Sequence, residues 1–83
     1  MAGVLIYRSS LNQHYSYVVA EDNLYDAVKA DIIGNESNKL LWERGDVSLE
    51  QIQNARKTTD SLVARLNKGE KIDFEKELAE FFD

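Results

Sequence analysis

The chain contains no cysteine and no proline, one histidine and only four glycines in 83 residues. Without thiols it forms no disulfide and offers no thiolate nucleophile. With His14 alone it lacks the ligand spacing of a zinc site, and its scattered carboxylates match no calcium-binding loop. Short domains often lean on such staples. Here apolar burial has to hold the fold unaided, and no metal or other cofactor is expected.

Long hydrophobic runs are missing as well. The longest near the start is Val4-Leu5-Ile6-Tyr7, with no basic segment before it. This pattern predicts no transmembrane span, no signal peptide and no membrane partner, and cytoplasmic localisation is the expectation. Positive charge is also in deficit: ten Lys and Arg face fifteen Asp and Glu, a net charge of −5. Nucleic acids and anionic membranes are held by a surplus of Lys and Arg, so neither is expected as a general partner.

What is present suits a small globular protein. Apolar residues make up 43% and charged residues 30% of the chain, enough for a core and far from the disordered range. A chain of this length buries only about 60% of its unfolded surface, which supports one domain spanning 1–83. Charge is distributed in blocks. Residues 1–20 carry +1, residues 21–50 carry −5, residues 51–69 carry +3 and residues 70–83 carry −4, as if a basic helix lay between acidic neighbours.

Two short runs, Val4 to Arg8 and His14 to Val19, flank the polar segment Ser9-Ser10-Leu11-Asn12-Gln13 and read as a β-hairpin. From Asn23 the period lengthens to four through Leu24, Val28 and Ile32, which predicts a helix capped by Asp22 or Asn23 and stopped at Gly34. A shorter helix is predicted over Ser37 to Arg44, carrying Leu40, Leu41 and Trp42 and stopped at Gly45. The strongest local signal is Val47-Ser48-Leu49-Glu50-Gln51-Ile52. Ser48 and Gln51 form a capping box there, with Val47 and Ile52 as the hydrophobic staple. Beyond it Leu49, Ile52, Ala55, Thr59, Leu62, Val63 and Leu66 share one face of a helix ending near Gly69. A last amphipathic helix starts at Asp73 and aligns Phe74, Leu78, Phe81 and Phe82.

The expected fold class is therefore α+β, an N-terminal β-hairpin packed against three or four helices. An all-α small bundle is the alternative if the first twenty residues are helical.

Chemistry finds little purchase. A nucleophile–imidazole–acid arrangement has only His14 to draw on, and Glu21 with Asp22, or Glu75 with Glu77, need a cleft to separate their pKa values. No glycine-rich phosphate loop occurs. The chain reads as a non-enzyme, with no catalytic, cofactor-binding or metal-binding residue to name. The aromatic inventory is more informative. Tyr15 and Tyr17 share one face of a strand inside Ser9 to Ala20, a stretch without formal charge, and Tyr-rich, charge-depleted surface is what interface centres use. With Trp42 and Phe82 they are the candidate partner-binding residues. The candidate acidic surface is Glu21, Asp22, Asp26, Glu75, Glu77 and Glu80.

At the end of the chain, Glu75-Lys76-Glu77-Leu78-Ala79-Glu80-Phe81-Phe82 resembles the sliding-clamp-binding peptide of replication and repair proteins. Leu78, Phe81 and Phe82 stand at the aliphatic and aromatic positions, and Glu75 stands where that peptide has Gln. The resemblance implies a docking plug, while helix packing produces the same spacing.

These features describe a small acidic protein-binding regulator, of the inhibitor, antitoxin, immunity-protein or phage-regulator type, whose partner is another protein. A homodimer through the hairpin edge is a further possibility, since such edges carry unpaired backbone groups. Three alternatives stand beside it. They are a nucleic-acid-mimicking inhibitor presenting the acids of residues 21–50 and 70–83, a homo-oligomeric assembly component, and a weak nucleic-acid binder using Arg56, Lys57, Arg65 and Lys68.

Overall fold

Five consecutive residues, Ala2 to Ile6, are buried, and a strand buried on both faces belongs at the centre of a sheet. In the structure, a computed structural model that describes residues 2–9 and 13–82 apart from the side chain of Asp22, this strand is β1 (Ala2–Ser9). The tip of the expected hairpin loop, residues 10–12, lies outside the described residues. β1 pairs antiparallel with β2 (His14–Ala20) on one side and with β3 (Asn38–Val47) on the other, in the order β2-β1-β3. Helix α1 (Tyr25–Gly34) follows a single 3₁₀ turn, and α2 (Leu49–Asn67) and α3 (Phe74–Phe82) complete the chain.

The class is α+β, with a three-stranded antiparallel sheet and three helices among the described residues. The helix expected over Ser37 to Arg44 is instead β3, so Gly45 lies inside a strand and stops no helix. The physical reason is visible in the pairing. Two steps along β1, from Ala2 to Val4, face three along β3, from Val47 to Arg44, and the single step from Ile6 to Tyr7 faces two, from Trp42 to Leu40. These bulges put Leu40, Leu41 and Trp42 in a row and break the alternation that marks a strand. Asp46 takes φ +56° at the first bulge.

The two faces of β1 are covered by different elements. Val4 and Ile6 join Val47, Ile52, Ala55, Leu62, Leu66, Leu78 and Phe82 in one cluster beneath α2 and α3. Leu5, fully buried, points to the other face, which α1 covers. There the Tyr25 ring lies against Gly3 and Gly45, its hydroxyl donates to Glu43 at 3.2 Å, and Lys29 pairs with Glu43 at 2.8 Å. Burial, reinforced by the charge and hydrogen bond of Glu43, pushes the Tyr25 hydroxyl up to about 12.

The termini of α2 match the sequence reading. Ser48 Oγ accepts from Gln51 N at 3.1 Å while Gln51 Oε1 accepts from Ser48 N at 2.9 Å, a complete capping box. At the other end Gly69, φ +93°, closes a Schellman turn through Gly69 N to Leu66 O and Glu70 N to Arg65 O. Asp73 caps α3 through Lys76 N at 3.2 Å. The start of α1 differs: Leu24 occupies its N-cap without a side-chain cap bond, where Asp22 or Asn23 is expected to serve. The 3₁₀ turn supplies the bond instead, from Leu24 N to Glu21 O.

Two outcomes follow from the α1 face. A Cβ on Gly3 would strike the Tyr25 ring and lie 2.8 Å from the Arg44 carbonyl oxygen. Gly3→Ala is therefore expected to destabilise the fold by about 1–3 kcal/mol in urea denaturation. For Tyr25, a folded-state pKa above the unfolded value of 10.0 means that the unfolded chain releases its proton first as pH rises. Stability contributed by the neutral hydroxyl is then complete below pH 10 and lost toward about pH 12. Tyr25→Phe should flatten that alkaline loss, as read from urea midpoints across the window.

Candidate functional site

β2 is an outer strand, and its open side can be assigned from one contact. Asn67, the last residue of α2, receives a hydrogen bond from Tyr15 N at 2.8 Å and donates to Tyr15 O at 3.2 Å. Its carboxamide thus stands where a neighbouring strand would, on the side of Tyr15 away from β1. Outward and inward backbone groups alternate along an antiparallel strand, so Tyr17 and Val19 also turn their N–H and C=O away from β1. Asn67 closes one end of this edge, and among the described residues no strand lies beside the stretch at Tyr17 and Val19.

A groove of about 310 Å³ runs along that stretch. Val4 and Ile52 are in its floor, Tyr17, Val19 and Glu21 lie on the β2 side, and Leu49, Gln53, Arg56 and Thr59 lie on α2. Val19 is 38% and Leu49 47% exposed, so the groove offers apolar surface to solvent. Thr59 is buried and satisfied, its hydroxyl donating to Ala55 O at 2.9 Å. The Tyr17 hydroxyl donates to Asp60, and that bond is the main reason its pKa is raised. Burial and the Asp60 charge add to the shift, and Arg56 opposes it from nearby. Tyr15 is half-buried, with the Arg8 guanidinium 6.0 Å from its ring centre.

The structure brings Tyr15 and Tyr17 together and places the other candidate aromatics elsewhere. Trp42 lies on β3, its ring 6.3 Å from Phe74 and 5.9 Å from Phe82, and its indole N–H donates to Glu75 at 3.0 Å. Phe82 is 8% exposed and Leu78 fully buried. The residues that resemble a clamp-binding plug are thus largely core, with Phe81 half-buried against it. His14 is exposed at the start of β2.

The candidate acids do not form one array. Asp26 is on α1, across the sheet from α3. Glu75 meets Trp42 and Arg44, Glu77 meets Arg65 at 3.9 Å, and Arg65 also pairs with Glu70 at 3.2 Å. Glu21 is exposed on the groove and Glu80 is exposed on α3, while the side chain of Asp22 lies outside the described groups. Among the described residues no cluster of three metal-ligating side chains forms, and no helix is long and apolar enough to cross a membrane.

Sequence reading missed Asn67, Arg56 and Asp60 as parts of this site. Their helical spacing is visible, but their position beside β2 depends on how α2 lies across the sheet. Replacing Asn67 by Ala should cost about 1–2 kcal/mol, from two backbone partners lost at a partly exposed position. It should also speed amide exchange at Tyr15 specifically, measured residue by residue.

Comparison with known proteins gives no matching family model, no matching curated protein and no matching solved structure.

Proposed function

We propose that this chain is a non-enzymatic protein-binding regulator, of the inhibitor, antitoxin, immunity-protein or phage-regulator kind, and that it docks a polypeptide along the outer edge of β2. The observation that carries the reading is the open backbone at Tyr17 and Val19, on a strand without formal charge and beside an apolar groove. Natural proteins usually guard sheet edges with charge, bulges or a covering group. The other outer strand follows that rule, with Lys39, Glu43, Arg44 and Asp46 and two irregularities in its register. Among the described residues, β2 is guarded at Tyr15, by Asn67.

Strand addition uses such an edge directly, because main-chain bonds give affinity and an adjoining groove selects side chains. Val19 and Leu49 supply apolar surface for an inserted side chain, and Glu21 and Arg56 rim it with opposite charges. The nucleic-acid readings draw less support. Arg65 is paired with Glu70 and Glu77, which takes one of the four bases that direct binding relies on, and the net charge of −5 opposes the rest. Glu75 and Glu77 are likewise engaged with this chain's own groups, which weakens mimicry of a phosphate backbone.

A photoreactive benzophenone side chain at Val19, introduced in the native cell, tests the docking edge. Covalent adducts with a polypeptide should form there and not from the same group at Ser61, which is exposed on α2. No adduct at Val19, or equal labelling at both positions, would refute the reading.

A further inference from the structure

We propose that the polypeptide on this edge is a second copy of the chain, joined β2 to β2 about a two-fold axis through Val18. The inference rests on the docking edge described above and names its occupant. Three features of the edge lead to it.

The first is register. Residues whose backbone groups face outward pair with one another in an antiparallel addition, so the two-fold choices centre on Tyr17, Val18 or Val19. An axis at Tyr17 sets Tyr15 against Val19 of the second copy, but the N–H and C=O of Tyr15 are already taken by Asn67. An axis at Val19 leaves only Val19 paired with itself and pushes Tyr17 against Glu21, beyond the end of the strand. An axis at Val18 pairs Tyr17 with Val19 and Val19 with Tyr17, and each pair exchanges both of its backbone hydrogen bonds. It uses the open residues, and Tyr15, capped by Asn67, falls opposite Glu21 of the second copy, one residue beyond the end of its β2.

The second is charge. The Tyr17 hydroxyl meets Asp60, and Val19 shares the groove with Gln53 and Arg56, so the level of Val18 falls between Arg56 and Asp60 on α2. A two-fold axis at that level brings Arg56 of each copy to face Asp60 of the other. An isologous interface has to be its own complement, and opposite charges four residues apart on one helix rim satisfy that condition. A foreign strand of either charge would gain from one of these groups and lose to the other.

The third is spacing. α2 packs over β1 and β2, and strands in a sheet lie about 4.8 Å apart. Joined at one such spacing, β2 and its counterpart bring the two α2 helices side by side and antiparallel across the axis. Val19, exposed in the single chain, is then covered by Tyr17 of the second copy.

Because the chain has no cysteine, one introduced thiol reports the register. Val18 would face its own counterpart at a non-hydrogen-bonded pair with Cα atoms about 4.5 Å apart, which a disulfide can span. Val18→Cys should cross-link rapidly under mild oxidation and Ser16→Cys should not. In sedimentation equilibrium the native chain should be dimeric, and Arg56→Asp or Asp60→Arg alone should raise the dissociation constant about tenfold or more. The double variant R56D/D60R, and an equimolar mixture of the two single variants, should regain the dimer, and circular dichroism on each variant verifies folding. A monomer at all concentrations, cross-linking centred elsewhere, or a dimer indifferent to both reversals would overturn the proposal. If the chain is monomeric and Val19 still captures a different protein, the second copy is wrong and the docking edge survives. If Val19 captures nothing, both fall.

Discussion

The structure depends on β1 being paired along both edges and buried on both faces. Ala2, Val4, Leu5 and Ile6 are at most 3% exposed, and burial of such side chains is worth about 1.5–3 kcal/mol each for the larger ones. A strand in that position needs a neighbour on each side and cover above and below. β2 and β3 supply the first, and α1 on one face with α2 and α3 on the other supply the second. Gly3 is part of the same arrangement, since the Tyr25 ring can lie against the sheet only where β1 has no side chain.

Most of this was legible wherever one local signal dominated. The hairpin strands, the capping box at Ser48, the buried positions Ile52, Ala55, Thr59, Leu62 and Leu66, and the stop at Gly69 appear where the sequence predicts them, while Leu49 and Val63, expected on the same face, are exposed and half-buried. β3 was hidden because two bulges interrupt its alternation and place Gly45 next to Asp46, which imitates the end of a helix. A hint was nonetheless available: an apolar run as continuous as Val4 to Tyr7 suits a central strand better than half of an isolated hairpin, and a central strand calls for a third partner. Tyr15 and Tyr17 were legible from composition. Asn67 was not, because a polar residue at the end of a helix carries no sign that it caps a strand 52 residues away in the sequence.

The blocks of charge resolve into specific pairs. Arg65 of α2 meets Glu70 and Glu77 from the segment that follows it, and Arg44 of β3 meets Glu75 of α3. These are partly exposed pairs and contribute modestly to stability. Their larger consequence is for recognition. Side chains engaged with one another are less free to meet a partner, so on the β2 side selection falls to backbone geometry, apolar surface and the rim of Arg56 and Asp60.

That distinction explains why the short open stretch matters more than its size suggests. Among the described residues, Tyr17 and Val19 turn backbone outward on β2 with no strand beside them, and two residues cannot anchor an arbitrary strand firmly, since a net hydrogen bond is worth about 1 kcal/mol. Affinity has to come from what surrounds them: the exposed Val19 and Leu49, the groove down to Ile52, and the rim of Arg56 and Asp60. Asn67 restricts the length of strand that can be added, and the rim restricts its charge. A surface limited in both ways discriminates among partners, whereas a fully open edge would accept any extended chain and aggregate.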